Sequence, residues 1–539
     1  MTKFIIITGG VLSGLGKGIV TSSLGMLLKS HGFKVTAIKM DPYLNCDAGT
    51  MNPFEHGEVY VLDDGTEADL DLGNYERFLD TELSGDDNIT TGKVYRSVIE
   101  KERAGEYLGK TVQIIPHITD EINRRIWNVA DEDDFDIVLI EMGGTVGDIE
   151  SSPFLEASRQ LHMEVGDENL IFVHTTLVPV MNVVGEQKTK PTQHSVKALR
   201  SIGISPDIIV GRSDVEMEPS TKRKISLFCD VPQEAVISSP NADNIYRVPL
   251  ILHNEGLTDY VMKKLELKKK NGFDEYMDRW QHFLADFENP TSELTVALVG
   301  KYCDLEDAYA SHVEALNHCA SATKTRINIR FMESEDFEEI SAASELLNDV
   351  DGVLIPGGFG TRGIKGKMNA INHARTHGIP ILTICLGFQI SVIEFARNVL
   401  GYESANSSEF DPKTEHPVID LLPMQRGIDK MGGTMRLGAE KVIINEGTKA
   451  HGIYGLTEIQ ERHRHRYEVN LDYIDEFETN GMIFSGKSSN SKRMEILEIK
   501  DHPFFMGCQF HPEFKSRPLD PAPLFLDFVK AMIKERDGK

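Results

Sequence analysis

Two stretches of this 539-residue chain hold reactive side chains at spacings that chemistry would use. In the second half, the apolar run Ile381–Ile384 leads into Cys385-Leu386-Gly387, and a helical pattern begins at Phe388. A thiol at such a strand-to-helix elbow is accessible, and the positive end of the helix favours its thiolate, so the spacing predicts a nucleophile. One strand earlier, Pro356-Gly357-Gly358-Phe359-Gly360 offers backbone N–H groups for an oxyanion hole. Near the end of the chain stands Gln509-Phe510-His511-Pro512-Glu513-Phe514. In an extended segment His511 and Glu513 would face one side, so the carboxylate would orient the imidazole. Thiol, base and orienter together predict acyl transfer. Taken singly, Cys385 also reads as a core thiol, His511 as a satisfied core histidine and Glu513 as a surface acid.

The first half carries groups suited to phosphates. An apolar strand runs into Gly9-Gly10-Val11-Leu12-Ser13-Gly14-Leu15-Gly16-Lys17-Gly18 and then a helix. Successive backbone N–H groups of such a loop curl around a phosphate, the helix dipole adds to the attraction, and Lys17 supplies a point charge. Gly18 stands where a phosphate loop normally has the Ser or Thr that holds magnesium, so either carboxylates elsewhere hold the metal or the loop is not an ATPase loop. Two such carboxylates are available. Glu67-Ala68-Asp69-Leu70-Asp71 reads as one face of a strand, with Glu67 and Asp69 solvated and Asp71, taken alone, reading equally as a metal ligand or as part of that solvated face. Glu141 ends the strand Ile137–Glu141, at the edge where parallel sheets bind ligands. Lys39 ends another strand beside Asp41. Lys188-Thr189-Lys190-Pro191-Thr192-Gln193 sets cations and hydroxyl donors before a helix, as a second phosphate group would want. In Lys222-Arg223-Lys224 the first two read as solvated.

These groups need elements to hold them. Apolar, β-branched runs at Phe4–Thr8, Val35–Met40, Ile137–Glu141, Asn169–Thr175 and Asp207–Val210 alternate with helical patterns at Lys17–Ser30, Asp120–Ala130 and Thr192–Ser201. A second series follows at Leu294–Val299, Arg326–Phe331, Gly352–Ile355 and Ile381–Ile384. The alternation predicts an α/β protein of two doubly wound domains, a phosphate-loop domain over 1–268 and a second over 293–539. The basic run Leu265–Gly272 and a short helix around Trp280–Phe287 make 269–292 the linker.

Composition narrows the partners. Lys and Arg number 57 against 84 Asp and Glu, a net charge of −27, which excludes nucleic acid and anionic membrane as partners. The six cysteines form no CxxC pair, so neither a disulfide framework nor a zinc site is indicated. No apolar stretch reaches the ~20 residues of a spanning helix, and the chain reads as cytoplasmic.

Whole strings carry a resemblance beyond these single residues. Through PGGFG, ICLG and HPEF the second half resembles the class I glutamine amidotransferases. Through GGVLSGLGKG, KMDPYLN, DLDLGNYERF, EMGGTVGDIES and KTKPTQHS the first half resembles the amidoligase domain of the CTP synthase family, and GGTMRLGA and ERHRHRYEV extend the likeness. The resemblance implies ATP-dependent amination of UTP to CTP with ammonia cut from L-glutamine. It also implies a homotetramer, Mg2+, activation by GTP and inhibition by the product CTP. It assigns Gly14, Leu15, Gly16, Lys17, Gly18 and Ile19 to ATP, together with Lys39 and Asp71, and Asp71 and Glu141 to the metal. Ser13, Lys188, Thr189, Lys190, Pro191, Thr192, Gln193 and Lys224 fall to UTP and CTP, and Asp148, Ile149 and Glu150 to inhibitory CTP. Gly358, Leu386, Gly387, Phe388, Gln389, Glu409 and Arg466 fall to glutamine, and Cys385, His511 and Glu513 to catalysis. Three places depart from the family: Thr383 stands for a glycine before the Ile of the elbow, Pro240-Asn241-Ala242 replaces a more polar segment near the adenine, and the segment before Gly432-Gly433-Thr434 is short. Another ATP-dependent amidotransferase, one acting on a corrin ring, would want an apolar cleft instead of KTKPTQ and Lys224. A non-catalytic, filament-forming scaffold would need no triad.

Overall fold

Apolar runs without alternation must be covered on both faces, and Phe4, Ile5, Ile6 and Ile7 have no exposed surface at all. In the computed structural model, which describes residues 2–51, 57–181, 185–270, 272–421 and 435–538, they lie in the centre of a parallel sheet. By internal contacts the chain divides into two compact units. One is Met1–Thr50 with Asp71–Gln281, the other Met51–Leu70 with His282–Lys539.

The first unit is built on β1 (Lys3–Gly9), β2 (Val35–Asp41), β3 (Asn88–Thr90), β4 (Ile137–Met142), β5 (Leu170–Leu177), β6 (Ile208–Ser213) and β7 (Val236–Pro240). They lie in the order β7-β6-β5-β1-β4-β2-β3, and every pair is parallel. Gly9, Lys39 and Glu141 therefore sit at the carboxyl ends of neighbouring strands, where such sheets open a crevice. Helix α1 (Lys17–Ser30) begins where the glycine loop ends, as its sequence pattern predicts.

The stretch Glu67–Asp71 does not form one strand. Only Glu67–Ala68 pairs, with Tyr60–Val61, and the chain then enters helix α2 (Leu70–Leu79). Leu72, Tyr75, Phe78 and Leu79 are buried at helical spacing, and Asp71 in the first turn suits the helix dipole. Helix α3 (Lys190–Ser201) starts two residues ahead of the expected Thr192, with Pro191 in its first turn, where a missing N–H costs nothing.

The second unit carries β8 (Ser292–Gly300), β9 (Thr325–Glu333), β10 (Gly352–Ile355), β11 (Ile381–Ile384), β12 (Arg436–Ile444), β13 (Glu458–His465), β14 (Met482–Ser488), β15 (Met494–Ile499) and β16 (Phe505–Cys508). Their order is β9-β8-β10-β11-β16-β15-β14-β12-β13. The first five are parallel and the rest antiparallel, so the sheet is mixed. Helix α4 (Ile364–His377) follows the glycine loop, and α5 (Leu386–Asn398) starts directly after Cys385, two residues earlier than the pattern predicts. His511 is not in extended chain; it heads the 3-10 turn Pro512–Lys515, whose proline fixes the backbone at the first helical position. Gly432, Gly433 and Thr434 of the GGTMRLGA string lie outside the described residues. Among the described residues no helix is long and apolar enough to cross a membrane.

Candidate functional site

Cys385 sits at φ 53°, ψ −101°, a left-handed backbone that L-residues avoid and that turns β11 sharply into α5. Gly387 makes the elbow possible, because a Cβ there would lie 2.3 Å from the Ile355 carbonyl oxygen. His511 Nδ1 is 2.7 Å from Glu513 Oε1, and both side chains are buried. Burial opposes the charge on His511, but the Glu513 carboxylate and the Cys385 sulfur outweigh it and hold the imidazole up at about 10. Its Nε2 is buried without an aligned hydrogen-bond partner, which leaves it open to exchange protons. A Cβ on Gly357 would lie 3.1 Å from the His511 ring and 3.5 Å from Cys385 Cβ, so the glycine loop passes directly over the pair.

Beside Cys385 opens a pocket lined by Gly358, Phe359, Cys385, Leu386, Gln389, Glu409, His465, Arg466 and Tyr467. It brings together all the residues assigned to glutamine except Gly387 and Phe388. Gly387 packs on β10, and Phe388 is fully buried on the inward face of α5. Gln389 is fixed by donating to the Tyr467 carbonyl at 2.9 Å and to Gln509 Oε1 at 3.1 Å. Burial raises the Glu409 carboxyl, against the pull of the Gly360 N–H, Lys301 and Arg466. Phe359, His465 and Tyr467 were missed; the last two lie inside ERHRHRYEV, where their closeness to the elbow is a matter of tertiary placement. Also unread in the sequence is His312, buried 3.4 Å from Glu513 and 3.7 Å from Glu58. Glu67, expected to be solvated, pairs with Arg464 at 2.7 Å and is half-buried.

In the first unit, Lys39 and Glu141 are register partners on β2 and β4. The Lys39 ammonium contacts Asp71 and lies 3.0 Å from Glu141 Oε1, while Tyr75, one turn after Asp71, donates to the other Glu141 oxygen. Burial works against the charge on Lys39, yet Asp71 and Glu141 raise its pKa well above the ordinary value. Glu141 is raised, first by burial and then by the like charge of Asp71. A cation bridging two carboxylates is what a metal would do there, and two hard oxygen donors beside a phosphate loop fit Mg2+. A Cβ on Gly18 would lie 2.4 Å from Asp71 Oδ1 and 3.4 Å from Glu141 Oε2. Gly18 thus leaves room for carboxylates where the usual loop has a hydroxyl.

Gly14 and Gly16 have φ of 75° and 82°, which the loop needs to curl, while Leu15 is buried and anchors it. Lys17 donates to the Gly144 carbonyl at 2.8 Å, and burial lowers its pKa. Gly10 has no room for a side chain, since Ser195 Oγ would fall 1.5 Å from its Cβ. Ser195 is itself held by His174 at 2.6 Å, a buried imidazole that burial and then Lys17 bring down to about 3. Sequence reasoning did not find His174, Ser195 or Tyr75; the i, i+4 spacing of Asp71 and Tyr75 was a usable signal.

The residues assigned to UTP divide. Ser13, Lys190 and Lys224 are exposed; Lys188 pairs with Glu186 at 2.6 Å, and Lys190 lies over Phe228 at 5.9 Å. Thr189 accepts from Gln193 at 2.9 Å, and Thr192 is turned into the fold, donating to Leu177 of β5 at 3.0 Å. Lys222, expected to be solvated, pairs with Glu255 at 2.5 Å. Asp148, Ile149 and Glu150 lie exposed on the loop after β4, with Asp148 accepting from the Thr145 N–H at 3.1 Å. Asn241 donates from its backbone to Ser213 at 3.0 Å and from its side chain to Asp214 at 3.1 Å, so Pro240–Ala242 is tied to β6.

A thiol, imidazole and carboxylate grouped at a strand-to-helix elbow, on the same chain as a glycine loop leading into a helix, fit one class, the amidotransferases that have their own synthetase unit. The known proteins agree. Residues 3–267 match the family described as CTP synthase N-terminus, and residues 304–531 match glutamine amidotransferase class-I. A CTP synthase of Archaeoglobus fulgidus is 57% identical over 534 residues, 99% of both chains. One of Thermococcus gammatolerans is 57% identical over 539 residues, 100% of both. The glutaminase domain of Trypanosoma brucei CTPS, solved with bound acivicin, is 40% identical and covers 45% of this chain and 94% of its own, with a TM-score of 0.43. The chain belongs to the CTP synthase family, the glutamine-hydrolysing ligases that make CTP.

Proposed function

We propose that this enzyme converts UTP, ATP, glutamine and water into CTP, ADP, phosphate and glutamate. The observation that carries the reading is the His511–Glu513 pair, 2.7 Å apart and buried, set against a thiol at a strained elbow beside a pocket with charged groups at its rim. Glu409 would meet the amino group of glutamine and Arg466 its carboxylate. The Cys385 thiolate attacks the side-chain carbonyl carbon, and the carbonyl electrons pass to oxygen. His511 delivers its proton to the amide nitrogen, the C–N bond breaks and ammonia leaves a thioester. Water activated by the same imidazole cleaves the thioester to glutamate.

In the other reaction the γ-phosphate of ATP moves to O4 of the uracil ring, and ammonia then adds at C4 and expels phosphate. A carbonyl oxygen is a poor leaving group and phosphate a good one, which is why ATP is needed. The N–H groups of Gly14–Ile19 and the Lys17 ammonium hold the phosphates, and Lys39 follows the charge of the transferring group. Asp71 and Glu141 would hold Mg2+, which neutralises phosphate charge when bound. Lys188, Lys190, Lys224 and Ser13 give UTP and CTP a shared triphosphate site, while the Asp148–Glu150 loop meets the cytosine end of inhibitory CTP. Activation by GTP and a homotetramer complete the reading, and both rest on the family resemblance.

Cys385→Ala tests the division of labour. It is expected to abolish CTP formation from glutamine and leave formation from ammonium salts within about twofold, followed by absorbance of the cytosine ring. Loss of both in a folded protein would overturn the assignment.

A further inference from the structure

Two buried lysines lie under the glycine loop that passes over the thiol. Lys367, on α4, is fully buried and donates to the carbonyls of Pro356 at 2.8 Å and Gly357 at 3.4 Å. Lys301, just beyond β8, is 2% exposed and donates to Phe359 at 3.0 Å and Gly360 at 2.6 Å. Neither makes an ion pair with any described carboxylate. A buried ammonium without a counter-charge is expensive, and a methionine would fill the same space without that cost. What the ammonium adds is its grip on four carbonyls of one loop.

In a trans peptide the carbonyl oxygen and the following N–H point in opposite directions. Carbonyls 356, 357, 359 and 360 turned towards the lysines therefore turn the N–H groups of Gly357, Gly358, Gly360 and Thr361 the other way. A further contact agrees: the Gly360 N–H reaches Glu409 on the pocket wall. The Cα of Gly357 lies beside the reacting groups, since a Cβ there would be 3.1 Å from the His511 ring and 3.5 Å from Cys385 Cβ. We propose that Lys301 and Lys367 are positioning residues that lock this loop with the Gly357 and Gly358 N–H groups aimed at the oxyanion formed on Cys385. The proposal rests on the glutaminase reading.

Free glycine peptides flip easily, and a flipped peptide would present a carbonyl where the oxyanion needs donors. Lys367 feels Lys301, Cys303, Cys385 and Glu333; Lys301 feels Glu409, Arg362 and Glu335. Burial, then its neighbour Lys301, brings Lys367 down to about 7, and burial brings Lys301 down to about 8. The clamp therefore holds full charge below neutrality and loosens above it.

The test separates two reactions of one sulfur. Alkylation of Cys385 by iodoacetamide needs a thiolate but forms no oxyanion, whereas glutamine hydrolysis needs both. Lys367→Met is expected to lower kcat for glutaminase about 10- to 100-fold, with KM and the alkylation rate of the Cys385 peptide, read by mass spectrometry, within about twofold. Lys367→Arg is expected to recover part of the loss. Unchanged kcat, or alkylation falling in step with kcat, would overturn the proposal. Should Lys367→Met fail to fold, Lys301→Met gives the same readings. Wild-type protein that alkylates but hydrolyses no glutamine would instead overturn the glutaminase reading beneath it.

Discussion

At the scale of single residues, the phosphate site depends on an atom that is missing. A loop with Gly18 in place of a hydroxyl reads in the sequence as a defect. In the fold it is the space into which Asp71 and Glu141 project. Gly18→Ala would put a methyl group 2.4 Å from a carboxylate oxygen and push apart the pair that Lys39 joins. The expected result is a loss of about 10²-fold or more in ammonia-dependent CTP formation, with glutamine hydrolysis measured alone unchanged. Retained synthesis would show that the metal is held elsewhere. The same logic makes Tyr75 more than packing, since its hydroxyl satisfies the Glu141 oxygen that Lys39 does not reach.

At the scale of elements, reactive groups are set by how closely strands and helices approach. The elbow exists because α5 starts against β10 with Gly387 between them, 2.3 Å of imagined Cβ from a main-chain oxygen that has no freedom to yield. Gly387→Ala is expected to destabilise the second unit by about 1–3 kcal/mol and to lower glutaminase activity. Thermal melting and a glutamate-release assay check it; a normal melt with normal activity would show that the helix shifts at no cost. The turn at Pro512 makes a similar point. An extended strand would set His511 and Glu513 on one side, whereas in a 3-10 turn residues two apart point about 120° away from each other. The two side chains still meet at 2.7 Å across the turn at Pro512, by a different local geometry from the one expected.

At the scale of the whole molecule, each unit has its own core and its own buried titrating groups, so pH acts on both. Asp87 in the first unit is pushed up to about 7, first by burial, and Glu461 in the second likewise to about 7. A carboxyl raised in the folded state stabilises the fold fully below its unfolded pKa near 4, and that contribution is lost as pH rises through about 7. Glu121, held down to about 2 against burial by Arg124 and Lys101, has the opposite sign; its contribution is present above about 4.5 and lost as pH falls towards 2. Stability is therefore expected to peak near pH 5 and to decline by pH 8. Ser84 and Thr36 donate to different oxygens of Asp87, so Asp87→Asn removes the charge and keeps an acceptor for only one of them; it should flatten the decline between about pH 4 and 7 by an amount on the order of 1–3 kcal/mol. Melting temperatures measured from pH 4 to 9 decide it, and an unchanged slope between pH 4 and 7 would show that Asp87 titrates normally.

Whatever depends on local order along the chain was legible in the sequence alone. The buried parallel strands, the glycine loop before α1 and the cysteine before α5 are written in short windows, because burial on both faces demands unbroken apolar runs and a tight turn demands glycine. The Cys385, His511 and Glu513 group was legible too, since each residue sits in a distinctive string. Tertiary structure alone decided the rest. Asp71 left its expected strand because the buried spacing of Leu72, Tyr75 and Phe78 makes a helix once there is a sheet to pack on. Thr192 turned inward because α3 lies on β5. The antiparallel half of the second sheet, the lysines beneath the glycine loop, His174 behind Gly10 and the pocket residues His465 and Tyr467 all depend on contacts between residues far apart in the chain. No periodicity encodes such contacts; they arise only when packing selects which distant side chains share a buried space.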